Sequence, residues 1–348
     1  MSDSSLPPPP PGVDPAIWPT LYYIRTGCFP YVIDGVKVSY GYWPTLGAGI
    51  AFDALFGLAV IGHLIQLARF RRWTSLLFAT GALTEVIGWA GRTWSAKCPY
   101  NNDAFLMQVT TLIIAPTFFA AALYILLHTL INLLGRDTSA LSPRNYALIF
   151  CTCDLISLVV QAVGGAMASN ESSKVGGDTQ PGTHIMVAGI AFQLFTMTIF
   201  AGLVLDFLRR VRNKRIAGTL PGGKLPKQIK LVLVAVFVAF VMIYIRSVYR
   251  TIELAQGWEG YLITHEGYFI GLDATLMFVA VAVFLVLDPA VLLRDVDAVR
   301  LKVESAGGGA SGAIAPPGEG EDGPPGKEVA ADLSSDSTAN RSIQLRDL

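Results

Sequence analysis

Charge is scarce in this chain. Only 15% of its 348 residues are charged, against about 25% in ordinary soluble domains. Hydrophobic residues reach 52% and mean hydropathy is +0.50, which argues against a solvated globular protein. Histidine is scarcer still, at four: His63, His128, His184 and His265. The first two fall near one expected membrane face and the last two near the other. No depth collects the three that a seven-span zinc hydrolase would need, so no metal is expected. The last apolar run, 267–290, has no lysine, which excludes a retinal Schiff base. GTLPGGKL at 218–225 approaches a phosphate-binding loop, but Leu225 stands where Ser or Thr should meet magnesium, and no strand precedes it. No cofactor and no enzymatic activity are expected. The leading MSDSSLPPPPPGVDP holds no apolar stretch, so no cleavable signal peptide is expected and the first span acts as targeting signal.

What the chain has in abundance is apolar length. A hydrocarbon core of about 30 Å takes about 20 helical residues. Seven runs qualify: 45–67, 75–95, 105–134, 146–168, 184–208, 230–252 and 266–290. The third contains Pro116, a kink site. The second is weakest, because it holds Glu85 and Arg92, yet loop charges alternate only when it is kept. Arg69, Arg71 and Arg72 fall in one loop, Arg136 and Arg144 in another, and eight bases in 209–230. The intervening loops are poor in base. The positive-inside rule then places the N-terminus outside and the C-terminus in the cytosol. The expected fold class is an all-α bundle of seven transmembrane helices. The 209–230 loop is expected to lie on anionic lipid headgroups; its charge is not an argument for nucleic acid.

Three domains are expected: 1–44 outside, 45–293 in the membrane and 294–348 as a cytosolic tail. Residues 1–15 are Pro-rich, and 305–348 are Gly/Pro/Ser-rich without apolar periodicity, as in disordered segments. Residues 16–44 are rich in aromatics, and Asp34-Gly35 between β-branched residues gives a hairpin signal for a small cap. Trp43 reads as an interfacial anchor. Cys28 and Cys98 both fall on the outer, oxidising side, where a disulfide forms readily; spacing alone does not decide whether they pair. Cys151 and Cys153 read as packing residues. Asn170-Glu171-Ser172 is a glycosylation sequon in an outer loop, although close to the membrane.

Ionisable groups inside a span cost roughly 2.5–3.5 kcal/mol each on insertion scales and persist when they pair or serve a function. Glu85, Gly88 and Arg92 share one helical face; so do Arg246, Arg250 and Glu253; so do Glu266 and Asp273. Asp154, Ser157, Gln161, Gly164 and Gly165 form a polar stripe, with Gln193 in the next span and Asp53 in the first. Asp154 lies deeper, toward the cytosol. The outer-half set holds five acids, Asp53, Glu85, Glu253, Glu266 and Asp273, against three arginines, Arg92, Arg246 and Arg250. Ion pairing consumes three acids and leaves two. The alternatives are a network that only fixes packing and a site for a cationic ligand or protons.

Several ordered segments resemble the fungal lipid-translocating exporter family, also called the aminocholesterol-resistance group. They are HLIQLARFRRW (63–73), EVIGWAGR (85–92), APTFFAAALYILL (115–127), DLISLVVQAVGG (154–165), AGIAFQLF (188–195) and RSVYRTIELAQGWEGYLITHE (246–266), followed by Asp273 and Met277. The resemblance spans about residues 40–293. It implies a seven-span protein of the fungal plasma membrane, linked to export or transbilayer movement of sphingoid bases, to resistance against toxic amphiphiles and, in one branch, to porphyrin transport. Two departures stand out: Asp288-Pro289-Ala290 where the family has a His-Pro-Gly-like turn, and Gly271-Leu272 where aromatics precede the last-span Asp. The expected partners are membrane lipids and a cationic amphiphile. Glu85, Glu253, Glu266 and Asp273 would face its amine, Arg92, Arg246 and Arg250 would preorganise them, and Gln161 and Gln193 would add hydrogen bonds. A lipid sensor acting through cytosolic partners is the competing expectation.

Overall fold

The computed structural model describes residues 15–135, 138–172, 178–217 and 226–294, apart from 32, 34–37, 39, 140 and 259, together with 6, 8 and 9. The expected Asp34-Gly35 hairpin, the 218–225 segment and the 305–348 tail lie outside the described residues. Among those described, every regular element is helical and there is no strand.

A short helix, α1 (Trp18–Thr26), precedes the bundle. Its proline sits in the first turn, where the missing N–H costs nothing. Then follow α2 (Leu46–Phe70), α3 (Trp73–Lys97), α4 (Asn102–Leu134), α5 (Pro143–Ser172), α6 (Gln180–Ile216) and α7 (Lys227–Ala255). The last helix opens as α8 (Glu266–Phe269), loosens into a π turn (Ile270–Ala274) and continues as α9 (Thr275–Val286). Among the described residues, six helices are long and apolar enough to cross a membrane: α2, α4, α5, α6, α7 and the last helix, counted through Arg294. α3 matches α2 in length, at 25 residues. It is not among the six, because Glu85, Arg92 and its serines, threonines and glycines dilute its apolar residues.

From α2 to α7 each helix packs on its neighbour in sequence, α7 packs on α9, and α9 returns to α2; α1 touches α4 instead. α4 is the central helix. Half of its most apolar stretch is buried, against 28% in α2, α5 and α6. Around it Phe78, Phe119, Tyr124, Phe200 and Phe284 form a buried aromatic core. Leu58, Ile65, Leu155, Phe195 and Phe237 point outward and are exposed. A surface this apolar requires lipid or another apolar phase against it.

Turn chemistry fixes the short links. Arg71 adopts φ 51° and its N–H donates to Leu67 O at 2.8 Å, ending α2 so that α3 can fold back. Asn101 caps α4 by accepting from Ala104 N at 3.0 Å. His63 and Gln66 reach across from α2 to the carbonyls of Val281 and Phe284 at 3.3 and 3.0 Å.

α6 runs well beyond the expected span. Arg209–Lys214, read from sequence as loop, is helical to Ile216. Arginine and lysine are good helix formers, and Arg210 bonds Asp206 one turn earlier at 2.7 Å. The 16–44 segment, expected as a hairpin cap, contains α1.

α5 and α6 meet backbone to backbone. A Cβ on Gly182 would stand 2.4 Å from Ala168 N, and one on Gly164 would stand 2.5 Å from Met186 N. Backbone atoms cannot yield as side chains can, and small residues are how membrane helices approach closely. Gly182→Leu is expected to force the pair apart at about 1–3 kcal/mol of overpacking. A lower melting temperature of the solubilised protein checks this; an unchanged value would show the contact to be loose.

Candidate functional site

The polar faces of α3, α7 and the last helix converge. Glu85 and Arg92 on α3 are each 1% exposed, and Glu253 and Asp273 are 2% and 1% exposed. The three arginines take three different acids. Arg92 Nη2 bonds Glu266 Oε1 at 2.8 Å, Arg246 Nε stands 2.6 Å from Asp273 Oδ1, and Arg250 Nη1 bonds Glu253 Oε2 at 2.6 Å. The Arg246–Asp273 contact is close but not aligned as a hydrogen bond. Tyr249 donates to the other Glu253 oxygen at 2.9 Å. Thr45 donates to Glu266 from both its backbone N–H and its hydroxyl.

Arg246 has a second task. Its Nη2 donates to Leu112 O at 2.6 Å. Pro116 lies four residues later in α4 and has no N–H, so the Leu112 carbonyl has lost its helical donor. The guanidinium supplies the missing bond and ties α7 to the centre of α4.

Arg92 sits in a box of rings. Its guanidinium carbon is 4.6 Å from the Phe269 centroid, 5.5 and 5.6 Å from Tyr40 and Tyr42, and 5.8 Å from Trp89. It donates to Tyr42 Oη at 2.7 Å and to Gln108 Oε1 at 3.5 Å. Tyr40 donates to the same Gln108 oxygen at 2.7 Å and lies 3.0 Å from Ser95 Oγ. Burial raises both phenols above the ordinary tyrosine value, so each stays a protonated partner. A disulfide joins Cys28 to Cys98, Trp43 Nε1 bonds Ala96 O and Asn101 bonds Thr26 O. The segment before the first span is thereby fastened over the end of α3.

Two acids are left over. Asp53 accepts from Thr93 at 2.8 Å with one oxygen, and its other oxygen has no hydrogen-bond partner. Glu85 Oε1 is buried without a partner, as is the indole N–H of Trp89 one turn away. The charged groups acting on Glu85 are Asp273, Arg246 and Arg250. A cavity of about 40 Å³ opens between Arg92, Arg250, Glu253, Gln108 and Phe269. It has room for a few waters and is closed to a lipid.

The other expected residues stand elsewhere. Gln161 bonds Gln193 and Ser157 at 3.1 and 2.6 Å across the α5–α6 contact. This places both glutamines among themselves, not on the charged cluster. Asp154 accepts from Tyr124 at 2.9 Å, with its second oxygen unpartnered, between α4 and α5. Asn170 is exposed on the last turn of α5. Sequence reasoning missed Tyr40, Tyr42, Gln108, Trp89 and Tyr249 as members of the cluster. It also missed the Leu112 carbonyl, for which Pro116 was an available signal.

Apolar helices wrapped around a buried ion-pair cluster, with an apolar outer surface, define an integral membrane protein with several spanning helices. Residues 78–295 match the protein family described as RTA1 like protein, and the chain belongs to that family. It is 35% identical over 284 residues to the sphingoid long-chain base transporter RSB1 of Saccharomyces cerevisiae, covering 72% of each chain. It is 28% identical to protein RTA1 of the same yeast, covering 74% of this chain and 86% of that one. It is also 27% identical to protoporphyrin uptake protein 1, covering 60% and 66%. No solved structure matches.

Proposed function

We propose that this protein moves cationic amphiphiles of the sphingoid long-chain-base class across the membrane and so confers resistance to toxic amphiphiles. The observation that carries this reading is the charge count at the centre of the bundle. Glu85, Glu253 and Asp273 face only Arg246 and Arg250 there. One carboxylate is therefore available for a cation that enters with its tail still in lipid. The similarity to a transporter named for long-chain bases supports the same class.

We place α3 as a seventh span. It is as long as α2 and packs between α2 and α4. Seven spans with basic loops inside put the N-terminus outside and the C-terminus in the cytosol, in the plasma membrane, with residues 209–230 against anionic headgroups. In the closed state described above, Arg92 and the N-terminal segment cover the outer end of the site. Entry of a headgroup requires that cover to move.

The test is transbilayer movement of a fluorescent sphingoid base in liposomes holding only the purified protein. Movement well above empty liposomes is expected, reduced at least about ten-fold in Glu85→Gln, the loss of one charge-assisted contact of about 1.5–3 kcal/mol. Asp273→Asn is a poorer probe, because it also strips Arg246 of its partner. Binding of the lipid without movement would replace the transporter reading with a sensor.

A further inference from the structure

Glu85 is the one acid of the central cluster without an ion pair of its own, with the Trp89 indole as its hydrogen-bonding neighbour. It is 1% exposed and its Oε1 has no hydrogen-bond partner. The groups around it come from several elements, and α2, which packs along α3, brings Phe52 against Trp89 and Asp53 against Thr93. α7 brings Arg246, Arg250, Glu253 and Tyr249; the π turn brings Asp273; α3 itself brings Trp89. α4 meets this stretch of α3 with Leu112 and Thr111 against Gly88 and adds no ionisable group. Arg246 is held by Asp273 and the Leu112 carbonyl, and Arg250 by Glu253. Both arginines also act on Glu85, but their two charges are shared among three acids. An uncompensated buried carboxylate is costly, so the third acid needs its own monovalent cation.

Two cations meet that need, a proton or the amine of the substrate, and they exclude each other. We propose that the protein is a proton exchanger, in which Glu85 carries a proton when the site is empty and releases it when a cationic amphiphile binds. The inference rests on the transport reading above. The step is balanced: the carboxylic acid loses a proton to water, the carboxylate ion-pairs with the incoming ammonium, and no other bond changes. Because the two cations have the same charge, each crossing of an amphiphile in one direction returns a proton in the other. A proton gradient would then drive lipid uphill without nucleotide hydrolysis. The π turn carrying Asp273 suits such a cycle, since single-turn π segments recur at functional sites.

The probe is a fluorescent N,N,N-trimethyl long-chain base, which is permanently charged and cannot cross as a free amine. Purified protein in liposomes is given an inside-acid pH gradient, with potassium and valinomycin clamping the membrane potential. The lipid is expected to gather on the acid side by up to about ten-fold per pH unit, as one-for-one exchange requires, and to redistribute when a protonophore is added. In detergent, binding of the same probe should release a proton from the wild type and none from Glu85→Gln. Glu85→Asp, which keeps the acid, should restore release. Lipid movement that ignores the gradient would overturn proton exchange while leaving transport intact. No movement under either condition would overturn the transport reading as well.

Discussion

Arg246→Met is expected to lower stability by about 3–5 kcal/mol, the range for removing one partner of a buried ion pair. Asp273, 1% exposed, would lose the cation at 2.6 Å and would have to stay charged uncompensated or take up a proton, either at a cost. The orphaned Leu112 carbonyl would add about 1–3 kcal/mol as an unsatisfied buried acceptor. The two losses can be repaired separately, which makes the prediction sharp. Asp273→Leu in the same chain removes the stranded acid. Pro116→Ala returns an N–H to α4 and satisfies Leu112 from within the helix. The double variant should regain most of the lost melting temperature and the triple variant more. Asp273→Leu alone should be worse than the double, because it strands Arg246 instead. Equal melting temperatures for wild type and Arg246→Met would remove the pair from the list of what holds α7 to α4 and the last helix. Failure of Pro116→Ala to add stability to the double variant would show that Leu112 does not need Arg246.

This arrangement also shows where sequence reading succeeds. Apolar length locates the helices within a few residues at most ends, because the bilayer imposes that length. The three helical faces bearing charge were legible from the 3.6-residue period; those of α3 and α7 are buried, while on the last helix Asp273 is buried and Glu266 is partly exposed. Five acids against three arginines left two acids over on paper, and the structure leaves over Asp53 and Glu85. Which acids would be spared was not legible. Partner choice depends on how far each helix is rotated and raised, and spacing along one chain carries no such information. Gln161 and Gln193 show the same limit. Their depth matched the charged set, but α5 and α6 turn their polar stripes on each other through Gly164 and Gly182. The π turn was hidden as well, since IGLDA has no residue that forbids a plain α-helix. The aromatics before the first span were visible as a cluster, yet their target, Arg92, lies 50 residues from Tyr42.

Arg92→Lys is expected to detach that segment. Lysine keeps the charge but not the planar fork, so it cannot serve Tyr42 at 2.7 Å, Glu266 at 2.8 Å and Gln108 together. It also forfeits stacking against Phe269, Trp89 and the two tyrosines. Losing one charge-assisted hydrogen bond at about 1.5–3 kcal/mol and part of the ring contacts amounts to about 3 kcal/mol, or roughly 100-fold in the open population. The amide of Thr45 reports on this directly, because it donates to Glu266 only while the segment is docked. Its hydrogen exchange should speed up by about that factor, while amides of α5 and α6 stay unchanged. Glu266 remains held by Thr45 in the docked state, so the loss appears as opening and not as global unfolding. Tyr42→Phe, which removes one acceptor and keeps the ring, should give a smaller acceleration. If Thr45 exchanges at the wild-type rate in Arg92→Lys, the ring box is packing alone and the cover over the site is held by the Cys28–Cys98 bond and the Trp43–Ala96 contact. If it accelerates as expected, movement of cationic lipid should accelerate with it, because the same opening admits a headgroup to Glu85.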